Sequence, residues 1–403
     1  MGIKFECKIC SSNQKKSILR LGDIVLTGRF LNKNEKVDSY NLELVACNKC
    51  ELVQLNNTCD ASELYGEFYG YSSSLNQSMI DHLKEIYLSL SSFITPSSQI
   101  LDIGSNDGTF LNFFKDQKVT VGVDPSAKKY IKNYKNARLI SKFFNSNTAE
   151  HLKVDFGDFD VISSIAMFYD LEDPIQFARD IENLLTSDGI WILEQSYLPL
   201  MIENNAFDTI CHEHIEYYKL QDILNIVKNV GMKVVDVSID DTNGGSFRLI
   251  CCKESSKHKT KDYVNKILND EVKFFSNKNI YDEFNKRILF IKDELRKLIL
   301  DLNKKNINVY GIGASTKGNV LLQFFDIDNK MIKAIGEVNS EKFGKYTPGT
   351  NIPIVDQKEI LSQKDAYFLV LPWHFKDFFI NSSHFKKRNL IFPLPNIKVI
   401  KNE

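Results

Sequence analysis

The sequence has little net charge and no long apolar run. Its 51 Lys and Arg residues nearly balance its 52 Asp and Glu residues, which leaves a net charge of −1. Such a chain has no overall positive field to attract nucleic acid or an anionic membrane. No stretch reaches the roughly 20 apolar residues of a transmembrane helix, and the first residues lack the apolar core of a signal peptide. We therefore expect a cytoplasmic protein that binds neither nucleic acid nor membrane.

The composition also lacks the bias of disordered or fibrous proteins. Apolar residues make up 43% of the chain and charged residues 26%, both close to the averages for globular proteins. At roughly 150 residues per domain, 403 residues predict two or three folded units. The sequence therefore describes a large globular chain with a sizeable core.

Cysteines are few, eight in all, but five of them lie within the first sixty residues. Cys7 and Cys10 form one CxxC pair, and Cys47 and Cys50 form a second. Two such pairs can supply the four thiolates of a tetrahedral zinc site. We predict a structural zinc site at these four residues, against the alternatives of ordinary cysteines or a redox pair. Cys59 lies outside the pattern and is expected in the core.

The order of apolar segments predicts an α/β protein. After residue 99, short apolar strands alternate with helix-length segments, which is typical of a doubly wound parallel sheet. The predicted strands cover residues 100–103, 119–123, 161–165 and 190–193, with edge strands at 233–238 and 246–252 that make the sheet mixed. The predicted domains are a zinc-binding domain (1–72), a central domain (73–252), and a helical linker with a smaller Rossmann-like domain (253–403).

A glycine-rich turn follows the first strand of the central domain. Gly104 and Gly108 let the backbone approach a ligand at the carboxyl end of this strand, and Asp124, about 20 residues later, suits a ribose diol. The segment is neither a GxGxxG fingerprint nor a phosphate loop. It resembles motif I of class I S-adenosylmethionine-dependent methyltransferases, although a purely structural βαβ turn is the alternative. With that resemblance the expected cofactor-binding residues are Asp102, Gly104, Asn106, Gly108, Asp124, Phe144 (or its neighbour Phe143), Ser164 and Ala166.

The densest group of acid–base side chains is His212-Glu213-His214. A histidine pKa near 6.5 suits proton abstraction at neutral pH, and a neighbouring carboxylate can orient the ring. The spacing is not the HExxH of helical zinc proteases. Histidines without a catalytic role are the alternative interpretation.

The order of the motifs along the whole chain is similar to that of the three-domain nucleotide-sugar 3-C-methyltransferases. The resemblance is carried by the four-cysteine module, motif I, the His-Glu-His segment, Tyr69–Met79, Asn243–Arg248 and Tyr310–Asn319. It implies methyl transfer from S-adenosylmethionine to the carbon beside the ketone of a nucleotide-linked sugar. The base that forms the enolate would be His214, with Glu213 beside it. Tyr71, Tyr217 and His212 are the candidate donors to the developing oxyanion, and the sequence does not rank them.

The resemblance also implies a substrate site shared with the last domain. The turn after Gly311 and Gly313 would cradle the diphosphate of the sugar nucleotide, although a turn that only packs is the alternative. The expected substrate-binding residues are Tyr69, Asn243, Arg248, Ser315, Thr316, Lys317 and Asn319. Trp373-His374-Phe375 is expected in the core or at a domain interface. We expect a monomer or a small homo-oligomer.

Two positions depart from the family pattern. Characterised members carry tyrosine at the position of Cys211 and histidine near Asp170. These changes leave open a different sugar, a different carbon, or methylation of oxygen. A noncatalytic protein that binds nucleotide sugars is the alternative from another functional class.

Overall fold

The computed structural model describes residues 5–33, 35–60, 64, 72–75 and 77–401. Its strands are β1 (Lys15–Val25), β2 (Ser39–Cys47), β3 (Val53–Leu55), β4 (Gln99–Ile103), β5 (Val119–Val123), β6 (Arg138–Ile140), β7 (Phe159–Ile165), β8 (Leu185–Ser196), β9 (Glu216–Tyr217), β10 (Met232–Asp240), β11 (Ser246–Lys253), β12 (Val309–Ile312), β13 (Ile335–Glu337), β14 (Ile354–Asp356), β15 (Tyr367–Val370), β16 (Asn389–Phe392) and β17 (Lys398–Ile400). Within the described residues these strands form three sheets.

Along the chain, most α-helices of the described residues connect successive strands of the second and third sheets. They are α1 (Gln77–Ser89), α2 (Ser146–Phe156), α3 (Pro174–Leu184), α4 (Leu198–Glu203), α5 (Leu220–Asn229), α6 (Asp262–Phe275), α7 (Ile280–Lys304), α8 (Thr316–Phe324), α9 (Gln357–Leu361) and α10 (Lys376–Asn381). Among the described helices, none combines the length and the apolar character that crossing a membrane requires.

The first sheet is antiparallel and has the order β1-β2-β3-β9. Its last strand comes from residues 216–217, far along the chain from the other three. The sheet therefore includes two residues from beyond the predicted boundary at residue 72. The domain boundaries as a whole stay a prediction.

The second sheet has the order β10-β11-β8-β7-β4-β5-β6. The five adjacent strands β8, β7, β4, β5 and β6 pair in parallel. Strand β11 runs antiparallel to both of its neighbours, β10 and β8. This is the class I methyltransferase sheet, so the predicted α/β fold class and the mixed sheet are confirmed. Because the strand order reverses between β4 and β7, their carboxyl ends leave a crevice where ligands bind in such sheets.

Apolar layers cover both faces of this sheet. Residues that alternate along the strands point to opposite faces, so Ile100 packs beneath α1 whereas Leu101 belongs to the layer beneath α3 and α5. In that second layer the Phe168 ring lies edge-on to Trp191, with centroids 5.2 Å apart. Burial on both faces fixes the strand ends that carry the glycine-rich turn.

The third sheet has the order β14-β13-β12-β15-β16-β17, parallel except for its last strand. The long helix α7 contacts both β12 and the first sheet's β1. Its buried residues, Phe284, Ile288, Ile291, Leu295, Ile299 and Leu302, recur at intervals of three or four and so line one face. The predicted helical linker is therefore a helix packed between two sheets.

Truncation of Ile299 tests this packing. The side chain is 0% exposed, so Ile299→Ala should lower the free energy of unfolding by about 2–5 kcal/mol through lost burial and a residual cavity. The neighbouring Leu300 is 41% exposed, and Leu300→Ala should change it by no more than about 0.5 kcal/mol. Urea unfolding followed by circular dichroism measures both, and equal effects would contradict the placement of α7.

Candidate functional site

The four cysteines of the two CxxC pairs converge. Their sulfur atoms all lie within 4.8 Å of one another, with Cys7 Sγ 3.4 Å from Cys50 Sγ and Cys10 Sγ 3.6 Å from Cys47 Sγ. Tetrahedral zinc with bonds of about 2.3 Å places neighbouring sulfurs about 3.8 Å apart. The group therefore fits zinc, and four thiolates leave no position open for catalysis.

The two cysteine loops share one backbone conformation. The Ser11 amide donates to the Cys7 carbonyl at 2.9 Å, and the Glu51 amide donates to the Cys47 carbonyl at 3.0 Å. Ser11 has φ 53° and Glu51 has φ 65°, so each loop closes with a residue in the left-handed region. Two equivalent turns thus aim their thiols at one point.

The glycine-rich turn leaves β4 in a tight, repeatedly left-handed path. Gly104 has φ 76°, Asn106 φ 49° and Gly108 φ 78°. A Cβ added to Gly104 would come within 2.9 Å of Met167 Cγ, and one added to Gly108 within 3.0 Å of the Tyr134 ring. Both positions therefore require glycine, and the turn between them packs closely against Met167 and Tyr134.

Asp124 follows β5 and braces the same turn. Its Oδ2 accepts a hydrogen bond from the Asn106 amide at 2.9 Å, and its Oδ1 accepts from the Ser126 amide and hydroxyl, both at 2.7 Å. A carboxylate has about four acceptor sites, so one remains for a ribose hydroxyl. Asp102 lies deeper, where burial raises its pKa to about 7 although the Ser163 hydroxyl donates to it at 2.6 Å.

The segment before α1 covers the glycine-rich turn. The Ser72 hydroxyl and the Ser74 amide donate to Asp107 Oδ2 at 2.5 and 2.8 Å. The Ser73 amide donates to Asn106 Oδ1 at 3.0 Å. These bonds join the Tyr69–Met79 motif, of which part is described, to motif I.

The remaining predicted cofactor residues lie around the end of β7. Ala166 has φ 53°, and its amide donates to the Glu194 carbonyl at 2.7 Å. Ser164 is fully buried, and its hydroxyl accepts from the Trp191 indole at 2.8 Å, so it faces the core. Phe144 lies edge-on to Phe177 at 5.0 Å. Met167, next to Ala166, links this strand end to Gly104.

His214 lies on what we call the junction segment, residues 207–218, which passes between the first and second sheets. Its Nδ1 is 2.8 Å from the Thr209 carbonyl, to which it donates. Its ring is 4.3 Å from that of Tyr169, in the turn after β7, and the adjacent Ile215 amide donates to the Tyr169 carbonyl at 2.7 Å. Burial first, and the Lys317 ammonium second, lower the pKa of His214 to about 3. The imidazole is therefore neutral at pH 7, with its Nε2 lone pair available.

The other two members of the His-Glu-His segment point away from His214 Nδ1. His212 is 1% exposed and lies edge-on to Tyr40 of the first sheet, 5.9 Å between centroids. Burial lowers the pKa of His212 to about 4. Glu213 Oε1 is 2.7 Å from the position that a Cβ on Gly28 would occupy, and burial raises the Glu213 pKa while the Cys211 thiol opposes it. The group bound at His214 Nδ1 is thus the Thr209 carbonyl rather than a neighbouring carboxylate.

The turn at the start of α8 meets the junction segment from the third sheet. Ser315 caps α8 by accepting from the Gly318 amide at 3.0 Å, and Thr316 Oγ1 lies 4.0 Å from the position of a Cβ on Gly28. Asn319 is buried and donates to the Thr27 carbonyl at 2.7 Å. The charge of Lys317 acts on Asp208 and Cys211. This turn therefore joins all three parts of the chain.

Arg248 lies within an ion-pair network. Its Nε donates to Glu194 at 2.8 Å and its NH2 group lies 3.5 Å from Asp240. His82 of α1 bonds the other oxygen of Glu194. The guanidinium predicted to bind substrate is thus held by two carboxylates. Tyr69 and Tyr71 lie outside the described residues, and the side chain of Asn243 is likewise outside them.

Sequence reasoning missed Thr209 and Asp208. Thr209 contacts His214 Nδ1 mainly through its backbone carbonyl, at 2.8 Å, with its hydroxyl at 3.2 Å, and a backbone carbonyl carries no residue-type signal. Asp208 accepts a hydrogen bond from the Trp373 indole at 2.8 Å across the junction. The sequence signals available for this pair were a carboxylate close to the His-Glu-His segment and one of the chain's 2 tryptophans.

Comparison with known proteins assigns each part of the chain in order. Family models described as a zinc binding domain, a methyltransferase domain and a C-methyltransferase C-terminal domain match residues 7–65, 75–237 and 241–395. The C-methyltransferase NovU of Streptomyces niveus is 27% identical over 414 aligned positions, which cover 99% of this chain and 97% of NovU. The chain is an S-adenosylmethionine-dependent C-methyltransferase that is similar to NovU over almost its whole length.

Two solved structures resemble part of this C-methyltransferase. An S-adenosylmethionine-dependent methyltransferase from Clostridium acetobutylicum is 16% identical, with 43% of this chain and 90% of that chain covered and a TM-score of 0.33. The PH0226 protein from Pyrococcus horikoshii is 14% identical, with 49% and 100% covered and a TM-score of 0.37. Both alignments span less than half of the C-methyltransferase.

The C-methyltransferase uses S-adenosylmethionine as its methyl donor and carries zinc in its first domain. The described residues fit both groups. The turn from Gly104 to Gly108 has the conformation that motif I requires, and the remaining acceptor site of Asp124 suits the ribose of the donor. The four sulfurs stand at the separation that zinc requires.

Removal of one thiol should empty the zinc site. Cys47→Ser leaves three thiolates, so we expect the purified C-methyltransferase to lose its zinc, which elemental analysis measures against protein concentration. Cys59→Ser is the control, since Cys59 lies outside the cluster. Equal zinc content in the two variants would contradict a four-cysteine site.

Removal of the Asp124 carboxylate should weaken donor binding. Asp124→Ala loses three hydrogen bonds that brace the turn, as well as the proposed ribose acceptor. We expect the Kd for S-adenosylmethionine, measured by calorimetry, to rise roughly 10- to 100-fold. The exposed Asp116 provides the control variant Asp116→Ala. An unchanged Kd in Asp124→Ala would place the ribose elsewhere.

Proposed function

We propose that this C-methyltransferase acts on a nucleotide-linked keto sugar and that His214 removes the proton beside the ketone. Carbon is a poor nucleophile, so it must become an enolate before methylation. The observation that carries the proposal is the fixed tautomer of His214. Its Nδ1–H is bound to the Thr209 carbonyl, so Nε2 is the basic nitrogen.

The surroundings of His214 support its assignment as the base. The ring lies on Tyr169, three residues after Ala166, and Met167 between them contacts the position of a Gly104 Cβ. This chain of contacts leads from the base to the turn that is proposed to hold the donor. Because burial and Lys317 disfavour the imidazolium, the ring is neutral and its Nε2 carries a lone pair, but the same effects make it a weak base.

Each part of the chain has a proposed task. S-adenosylmethionine, when bound, would supply an electrophilic methyl group to the enolate carbon. Gly104, Asn106, Gly108 and Asp124 hold this donor. His214 takes the proton at Nε2, and the segments that cover the junction exclude water. Glu213 and Thr316, which approach the same point beside Gly28, line the proposed sugar site.

The start of α8 is the proposed site for the nucleotide diphosphate. Amides at a helix N-terminus favour anions, and Thr316 lies in this first turn. Arg248 enters the proposal as a residue that shapes the site, because two carboxylates already hold its guanidinium. The cytoplasmic location and the oligomeric state stay predictions.

Substitution of His214 tests the mechanism. His214→Asn should lower the rate of methyl transfer from labelled S-adenosylmethionine to a dTDP-linked 4-keto-6-deoxy sugar by about 100- to 10,000-fold, since the base is lost. In D₂O, hydrogen at the carbon beside the ketone should exchange with solvent in the native enzyme, which NMR measures.

His151→Asn is the matched control. The Nδ1 of His151 is also 2.7 Å from a backbone carbonyl, that of Asn147, but the ring is exposed on α2. This variant should transfer methyl at the native rate. Methyl transfer by the native enzyme with full retention of the hydrogen at that carbon would rule out the enolate route.

A further inference from the structure

Buried polar atoms in and near the junction segment have no hydrogen-bond partner among the described residues. Asp208 is 1% exposed, and its Oδ2 accepts from the Trp373 indole at 2.8 Å. Its Oδ1 and the Nδ1 of His374 are buried, and neither has a hydrogen-bond partner among the residues that the structure describes. Because unpaired buried polar groups cost free energy, these atoms indicate that a polar ligand or water belongs beside them.

The packing of α8 brings the ammonium group of Lys317 toward the same atoms. α8 contacts the turn Phe207–Thr209, and the Phe207 ring stacks on that of Phe325 with centroids 4.9 Å apart. Lys317 lies in the first turn of α8, so this packing directs it toward the junction segment. Its charge acts on Asp208, Cys211, His214 and His374.

The neighbours of Lys317 suit a single developing negative charge. Asp208 provides a counter-charge, and the indole of Trp373, packed 3.2 Å from the position of a Cβ on Gly244, holds that carboxylate. Burial, with the Lys317 charge second, lowers the pKa of His374 to about 3, so the imidazole is neutral beside the ammonium. A buried cation in such surroundings interacts strongly with an oxyanion.

We infer that Lys317 stabilises the enolate oxygen of the substrate, and that Asp208, held by Trp373, positions its ammonium. The inference rests on the proposed function and replaces the expected contact of Lys317 with the diphosphate. When the C–H proton moves to His214 Nε2, the C–H electron pair forms the carbon–carbon double bond and the carbonyl π pair moves to oxygen. That oxygen lies two bonds from the deprotonated carbon, so a cation beside His214 is placed to receive it.

The basicity of His214 supports this assignment. An imidazole with a pKa near 3 is a weak base, and proton transfer to a weak base requires an acidified C–H bond. A cation at the carbonyl oxygen provides that acidity because it stabilises the enolate more than the ketone. The same cation thus keeps the base neutral and compensates for its weakness.

Proton exchange without methyl transfer isolates this step. The zinc-loaded full chain, with dTDP-4-keto-6-deoxyglucose in D₂O and no methyl donor, should exchange the hydrogen beside the ketone. Lys317→Met should slow this exchange about 100-fold, whereas the Kd for dTDP, measured by calorimetry, should stay within about threefold. Lys333→Met, at an exposed lysine in the loop before β13, is the control and should match the native enzyme.

The positioning role of Asp208 has its own readout. Asp208 raises the pKa of Lys317 against the effect of burial, so Asp208→Asn should lower that pKa. Cys211, His214 and His374 are the other titratable groups that face Lys317. In this variant the exchange rate should therefore begin to fall at a lower alkaline pH than in the native enzyme. An unchanged pH profile would remove Asp208 from the assignment.

The outcomes separate this inference from the proposed function. If Lys317→Met exchanges hydrogen at the native rate but binds dTDP at least about tenfold more weakly, Lys317 contacts the diphosphate and the inference is wrong. If the native enzyme exchanges no hydrogen with a bound keto sugar, the proposed function fails and the inference fails with it. Unchanged circular dichroism and zinc content establish that each variant is folded.

Discussion

The pairing of β9 with β3 is the constraint on which the candidate site depends. Two residue pairs, Val53 with Tyr217 and Gln54 with Glu216, attach the end of the junction segment to the first sheet. The Gln54 side chain also accepts from the Lys8 amide at 3.0 Å, within the first cysteine loop. A zinc ion that fixes this loop therefore also fixes β9, and with it the position of His214, two residues before that strand. The ion would act on the site in this way without contacting the substrate.

Desolvation sets the chemistry of the junction segment. A turn at residues 212–213 sends His214 toward Tyr169 and leaves His212 beside Tyr40, so two histidines two positions apart meet different surroundings. Burial disfavours the charged form of both rings. The Nδ1 of His214 lies 2.8 Å from the Thr209 carbonyl, and its ring is partly exposed, whereas His212 is buried. Position relative to two sheets, rather than residue type, distinguishes the proposed base from its neighbour.

Local signals in the sequence predicted the fold well because they require no knowledge of distant contacts. The two CxxC pairs specify a metal by their own spacing, and the glycines of motif I specify a turn that a Cβ would block. Long-range features were beyond such reasoning. The two-residue strand β9 has no periodicity, and the Thr209 carbonyl has no residue-type signature. Lys317 was found, but its neighbourhood beside Asp208 depends on how α8 docks.

Charge balance explains why Arg248 can be enclosed beside the site. Burial alone would lower the pKa of His82, but the Glu194 carboxylate, with Asp240 behind it, raises it above the usual value. A protonated His82 together with Arg248 neutralises the two carboxylates, and opposite charges that compensate in this way tolerate burial. His82 belongs to α1, whose preceding segment bonds the glycine-rich turn through Ser72 and Ser74. The network therefore links α1, and the segment before it that covers the glycine-rich turn, to β8 and β11. The charged side chains that stabilise the fold here thus also keep one side of the candidate site covered.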